Sequence, residues 1–258
     1  MGEPDLQQGV RAWYGDPGEH AIWADARLDE GLNPTERHLV DRYLARSARI
    51  LDIGCGGGRE AIALARGGHQ VVAVDLMEPL LDAARENARR AGVAVEFRAA
   101  DALSLPFADR AFDHVVMIGQ MIGHLPGRAG RLRALAECRR VLDDGGLLLC
   151  STNAIERSWK YALYFRVVNA ARRLYNPYHL EPGDAFVFRT GGRFRLLRNK
   201  RKGSIFHWYR REEFRADLAE AGFRCLEAQR RWEFETAGPR RRASGETYYL
   251  AAKERRTE

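Results

Sequence analysis

The stretch RILDIGCGGGREAIALA, Arg49 to Ala65, passes from an apolar run through a knot of glycines into a helical pattern, as a nucleotide-binding turn does. Three ligand chemistries compete for it. A phosphate-binding P-loop needs Lys followed by Ser or Thr after its glycines, and Arg59-Glu60-Ala61 stand there instead. A dinucleotide fingerprint of the GxGxxG form needs a glycine where Arg59 sits. What remains is a GxGxG turn preceded by an acid, Asp52-Ile53-Gly54-Cys55-Gly56-Gly57-Gly58. Glycines there let backbone approach a ligand without a side chain in the way. A glycine-rich turn without any ligand is the plain alternative.

Outward from this turn, short apolar runs alternate with amphipathic ones. The pattern predicts strands over 49–53, 70–75, 94–99, 112–118 and 146–151, with helices over 59–66, 78–91 and 128–141. Strands separated by helices imply a parallel sheet covered on both faces, and the right-handed crossover leaves a doubly wound α/β fold with its ligand at the carboxyl ends of the strands. Upstream, Asn33-Pro34-Thr35-Glu36 reads as a capped helix start whose helix runs toward Arg46. Downstream, a helix over 212–221 and strands over 224–231 and 246–252 complete the sheet. The chain is expected to be a single domain: 1–48 an N-terminal lid and helix, 49–152 the cofactor core, 153–205 a basic cap inserted after the fifth strand, and 206–258 the closing elements.

Further acids follow in order. The second strand ends in VVAVDLMEP, so that Asp75 can accept ribose hydroxyls and Leu76 and Met77 can wall an adenine. The third ends in FRAADALSLPF, with Asp101 and Ala102 at the sheet edge. With LPFADRAFDHVVMIGQMIGHL, Leu105 to Leu125, and LAECRRVLDDGGLLL near the fifth strand, the chain closely resembles the class I S-adenosylmethionine-dependent methyltransferases, of the type 11-like small-molecule kind. The resemblance covers about 49–152, with a weaker echo in Ile205 to Ala228. It implies a Rossmann-like sheet and S-adenosylmethionine as cofactor, held by Asp52, Gly54, Cys55, Gly56, Gly58, Asp75, Leu76, Met77, Asp101, Ala102, Ile118 and Gly119. In that family the third-strand acid receives the adenine amino group, the next backbone amide meets the ring, and the region of Ile118 and Gly119 faces the methionine end. Asp144 departs from the proline usual before the paired glycines.

The resemblance implies methyl transfer to nitrogen or oxygen of a small metabolite, in a biosynthetic setting. His124, just past the fourth strand, is the first candidate base, and Tyr14 the second catalytic candidate. Trp13 and Trp23 of the lid, and Tyr161, Tyr178, His179, His207 and Trp208 of the cap side, are candidate substrate residues. The plain reading of each is packing. No acid cluster in the sequence has the spacing of a divalent-metal site, so metal independence is expected.

Composition narrows the field. With 45% hydrophobic and 30% charged residues, the chain is an ordinary globular one. No run approaches the ~18 apolar residues of a membrane span, and MGEPDLQQGV lacks the features of a signal peptide, so a cytoplasmic location is expected. Cys55, Cys138, Cys150 and Cys225 are too dispersed for a metal site and read as free thiols. The net charge is +7, yet Asn153 to Ile205 alone hold twelve basic residues against three acids, so the remainder is slightly acidic. Within it RTGGRFRLLRNKRK, Arg189 to Lys202, carries seven basic residues in fourteen. A solvated hairpin, a clamp for an anionic small substrate, contact with RNA, and contact with a membrane surface all stay open for that segment. Ile155, Trp159, Leu163, Val167, Ala170 and Leu174 share one side of a helix there, which is expected to cap the strand ends. A non-catalytic scaffold that keeps the cofactor fold is the alternative of a different class.

Overall fold

A computed structural model of the chain describes residues 11–25, 30–125, 127–155, 159–176, 179–187, 189–190, 193–194, 204–231 and 246–254. Arg49–Ile53 (β1) forms the middle of a seven-stranded sheet because four of its five residues are buried, as a strand covered on both faces requires. Gln70–Asp75 (β2) and Phe112–Met117 (β4) flank it in parallel, and Glu96–Ala99 (β3) closes that edge. On the other side come Leu142–Asn153 (β5), Glu246–Lys253 (β11) and Phe223–Arg230 (β10). Only β11 runs antiparallel to its neighbours, with Leu250 opposite Leu149 and Ala251 opposite Cys225.

Alternate side chains of the strands feed two cores. Leu51, Ile53, Val72, Val74, Val115 and Met117 face one side, against Gly127–Val141 (α5) and Arg211–Glu220 (α7). Ile50, Val71, Ala73, Val116 and Leu149 face the other, against Pro34–Tyr43 (α2), Arg59–Arg66 (α3) and Glu78–Ala91 (α4). Each fully buried aliphatic side chain contributes about 1.5–3 kcal/mol, so these layers fix the sheet that positions everything at its edge. The capping box expected at α2 is present: Asn33 accepts from Thr35 and Glu36 amides, and Glu36 accepts from the Asn33 amide. The doubly wound fold and element boundaries agree with the sequence reading to within two or three residues, except β5, which starts four residues earlier because α5 runs straight into it. Asp144, in the place of the usual proline, pairs with Arg110 at 3.2 Å and Lys253 at 3.3 Å.

Between β5 and the closing elements stands the cap: Trp159–Arg172 (α6), Asp184–Val187 (β6) paired with Ser204–His207 (β9), and a ribbon of Arg189–Thr190 (β7) and Arg193–Phe194 (β8). Its small core is Ile155, Phe165, Ala185, Phe206 and Trp208, with Tyr161 and Tyr164 against it. The orientation of α6 corrects the expectation. Trp159, Leu163, Val167 and Leu174 are 51–91% exposed, and the helix is held instead by Phe165 and its tyrosine neighbours. Most of Arg189 to Lys202 lies outside the described residues. Among the described residues no helix is long and apolar enough to cross a membrane.

Candidate active site

Reversal of strand order between β1 and β4 opens a crevice at their carboxyl ends, where a doubly wound sheet takes its ligand. A cavity of about 410 Å³ occupies it, a volume suited to a cofactor-sized molecule. The glycine turn forms its floor. Gly54 adopts φ +76°, and a Cβ there would come within 2.5 Å of Met121, so only glycine fits. Asp75 is oriented by two backbone amides, Gly56 to Oδ2 and Met77 to Oδ1, both at 2.9 Å. Each oxygen keeps a lone pair for a further donor, and burial raises the Asp75 pKa. Leu76, Met77, Asp101, Ala102, Ile118 and Gly119 line the same cavity, as do Gly54, Cys55 and Gly56. Asp101 accepts from the Leu103 amide at 2.9 Å, which orients its carboxylate.

Asp52 and Gly58, expected at the ligand, do not line the cavity. Asp52 is buried beneath the turn; burial, then the Glu60 charge, raises its pKa, and its Oδ2 has no partner among the described residues. Gly58 faces Ala84 and Ile62 at the α3–α4 contact. Gly57, by contrast, has a role the sequence pattern does not separate from its neighbours. Its amide donates to Trp23 O at 2.9 Å, and a Cβ would sit 2.5 Å from Ala24 O. Asn87 of α4 donates to both Ala24 O and Gly57 O. The helix Pro17–Ala24 (α1), in the segment expected to be a lid, is thereby pinned by its carboxyl end onto the glycine turn.

That docking brings Tyr14 and Trp23 to the cavity wall. The Tyr14 hydroxyl lies 3.1 Å from His124 Nε2, and the Trp23 ring meets Tyr14 edge-on at 5.9 Å. Phe206 packs against the His124 ring in an edge-to-face arrangement, at 4.7 Å between ring centres. Burial lowers the His124 pKa to about 4, so the imidazole is neutral at physiological pH. Its Nδ1 has no partner among the described residues.

The remaining substrate candidates lie elsewhere. Trp13 is half-buried away from the cavity, His179 is exposed on a turn, and Tyr178 lies outside the described residues. Tyr161 and Trp208 stack on each other at 5.2 Å inside the cap core. His207 is held by Asp184 at 2.7 Å and Glu213 at 2.9 Å. Burial opposes its charge, but the two carboxylates prevail and raise its pKa. Glu181, Asp184 and His207 have ligand atoms close enough for a metal ion, but amides, arginines and the imidazole already engage them.

A charged knot at the other end of the cavity was not legible as a unit. Arg59 grips Glu36 with both nitrogens at 2.8 and 2.9 Å and also pairs with Glu60. Tyr248 donates to Glu36 at 3.0 Å, while Ser151 and Arg231 hold Glu246. Burial pushes Glu60 up to about 7 and also raises Glu246, helped by Glu36. Seven carboxylates and two guanidinium groups thus line the cavity, which suits a ligand bearing positive charge such as a sulfonium and an ammonium. The open glycine floor, the orphaned Asp52 oxygen beneath it and this acid lining fit S-adenosylmethionine.

Comparison with known proteins agrees. A family model described as a methyltransferase domain matches residues 50–146. A ubiquinone biosynthesis O-methyltransferase of Dinoroseobacter shibae is 39% identical over 47% of this chain and 52% of its own length. The methyltransferase GfsG of Streptomyces halstedii is 33% identical over 54% of this chain and 51% of its own. The chain therefore spans about half the length of the curated relatives it matches. A crystal structure of a SAM-dependent methyltransferase from Methanosarcina mazei is 26% identical, with a TM-score of 0.65 over 87% of this chain and 99% of that one. Sheet order, glycine turn and relatives together liken the chain to the class I S-adenosylmethionine-dependent methyltransferases, whose cofactor suits this cavity.

Proposed function

We propose that the chain transfers a methyl group to a hydroxyl oxygen of a small acceptor, with His124 as general base and Tyr14 as its partner. The observation that carries this reading is the Tyr14–His124 pair, 3.1 Å apart inside the cavity. Bound S-adenosylmethionine supplies an electrophilic methyl carbon; the protein's part is to position, exclude water and take a proton. Asp75 would receive the ribose hydroxyls, Asp101 and the Ala102 amide the adenine edge, and Leu76 and Met77 its face. Ile118 and Gly119 would back the methionine end, next to Gln120–His124.

A ring whose pKa is about 4 stays unprotonated, and so free to act as a base, at any physiological pH, but it is a weak one. Relative to a base poised near 7 it forgoes about 4 kcal/mol of driving force. It therefore suits an acidic hydroxyl, a phenol or enol, better than an alkyl alcohol. The likeness to an O-methyltransferase of Dinoroseobacter shibae supports the same acceptor atom. Tyr14 and Trp23 wall the cavity with α1 resting on Gly57, and would help to exclude water from it.

Incubating the protein with methyl-labelled S-adenosylmethionine and parallel panels of phenols, alkyl alcohols, amines and RNA tests the reading. Label on phenols, largely lost in His124→Ala, is the expected result. Label confined to amines or to RNA would overturn it.

A further inference from the structure

A second cavity, of about 540 Å³, lies in the cap beside α6 and shares no lining residue with the active site. Its polar lining is Arg166, Arg172, Arg173, Arg210, Asn169 and Asn176, and no carboxylate faces it. Elsewhere in the described structure arginines such as Arg59, Arg85, Arg89, Arg128 and Arg140 each contact a carboxylate. Arg166, Arg173 and Arg210 have no such partner among the described residues.

Arg172 is the most constrained of the four. It donates to Asp184 O at 2.7 Å, Glu181 O at 3.2 Å and Asn169 Oδ1 at 3.3 Å, all neutral acceptors. The nearby Asp184 carboxylate is already taken by His207 and the Glu181 amide. Burial accordingly lowers the Arg172 pKa. Asn176 is turned inward by a reciprocal pair with the Leu180 backbone, at 2.9 and 3.0 Å. Backbone carbonyls and Asn169 thus fix one guanidinium group in a cavity whose other three arginines are exposed and have no carboxylate partner among the described residues.

We propose that this arginine pocket binds a phosphate-bearing ligand. A single carboxylate offers two oxygens to one guanidinium fork, whereas a phosphate monoester brings close to two charges and three acceptor oxygens, and a diphosphate more. Phosphate can arrive on a soluble molecule or on a lipid headgroup. The lipid source has its own pointer on the same helix, where exposed Trp159, Leu163, Val167 and Leu174 follow one side beside Arg166 and Arg173.

The test uses the full chain and two probes: inorganic pyrophosphate by calorimetry, and flotation with vesicles containing phosphatidic acid, a phosphate monoester, against phosphatidylcholine alone. Pyrophosphate should bind the wild type, at least tenfold more weakly the exposed-site variant Arg166→Ala/Arg173→Ala, and unchanged Arg85→Ala/Arg89→Ala, which removes equal charge from α4. Flotation with phosphatidic acid that is lost in the same cap variant would assign the phosphate to a lipid. Pyrophosphate binding without flotation would assign it to a soluble ligand. Failure of both probes, or equal weakening by the cap and α4 variants with unchanged circular dichroism, would overturn the site.

Discussion

Two cavities among the described residues are opposite in charge. Seven carboxylates and two guanidinium groups line the active site, whereas four guanidinium groups and no carboxylate line the pocket in the cap. A net charge of +7 describes neither. The basic bias belongs to the insertion, and the cofactor site works against it, with buried acids whose pKa values are pushed up. Total charge is thus a poor guide to a ligand, and the side chains that face one space are a good one.

The largest effect that would break this division concerns the acceptor end of the acidic cavity. His124→Ala should lower turnover by about 10²–10⁴-fold, as loss of a general base does. Tyr14→Phe, which keeps the ring and loses the 3.1 Å contact, should cost about tenfold. Both are read from initial rates at saturating cofactor; an unchanged rate in His124→Ala would remove the base from the account.

The floor comes next. Gly57→Ala places a Cβ against the Ala24 and Trp23 carbonyls, so α1 must lift. Cofactor affinity should fall about tenfold, the equivalent of about 1.4 kcal/mol, and protease cleavage within 11–25 should quicken. Retained protection would show that the lid is held elsewhere.

The contrast between Gly57 and its neighbours shows what the sequence could carry. The glycine turn, Asp75 and Asp101 are legible because each closes a strand of a consecutive β–α–β series, where apolar period and turn chemistry agree. Gly57 looks like Gly56 in sequence, but its partner Trp23 is distant along the chain, and no local pattern encodes that contact. Tyr14 and His124 stood out singly for the same reason; their pairing spans 110 positions. In the cap, periodicity misled. Helix α6 carries two apolar arcs, Trp159, Leu163 and Val167 on one and Tyr161, Tyr164 and Phe165 on the other, and spacing alone does not choose which is buried.

The smallest effect sharpens the electrostatic side. Glu60 binds a proton up to about pH 7 when folded against about 4.5 unfolded, and the pKa of His207 lies above its usual 6.5. Both raised groups stabilise the fold below their unfolded values and lose that stabilisation as pH rises through the folded ones. His124, lowered to about 4, and His69 and His114, also lowered by burial, act in the opposite sense, mostly below their unfolded 6.5. From pH 6.5 to 8.5 Glu60 loses its proton in the folded state only, which takes about 1 kcal/mol, or about 2–4 °C in Tm, from the cofactor-free protein. Glu60→Gln should flatten that slope in thermal scans, and a slope of the same size in this variant would show that the acid lining is not its source.

The most direct measurement is calorimetric titration of S-adenosylmethionine into wild type, Asp75→Ala and His124→Ala. Removal of the carboxylate fixed by Gly56 and Met77 should weaken binding by about 100-fold, or about 2.7 kcal/mol, while His124→Ala leaves it within twofold. Equal affinity in wild type and Asp75→Ala, or an equal loss in both variants, would contradict the assignment of one end of the cavity to the cofactor and the other to the acceptor.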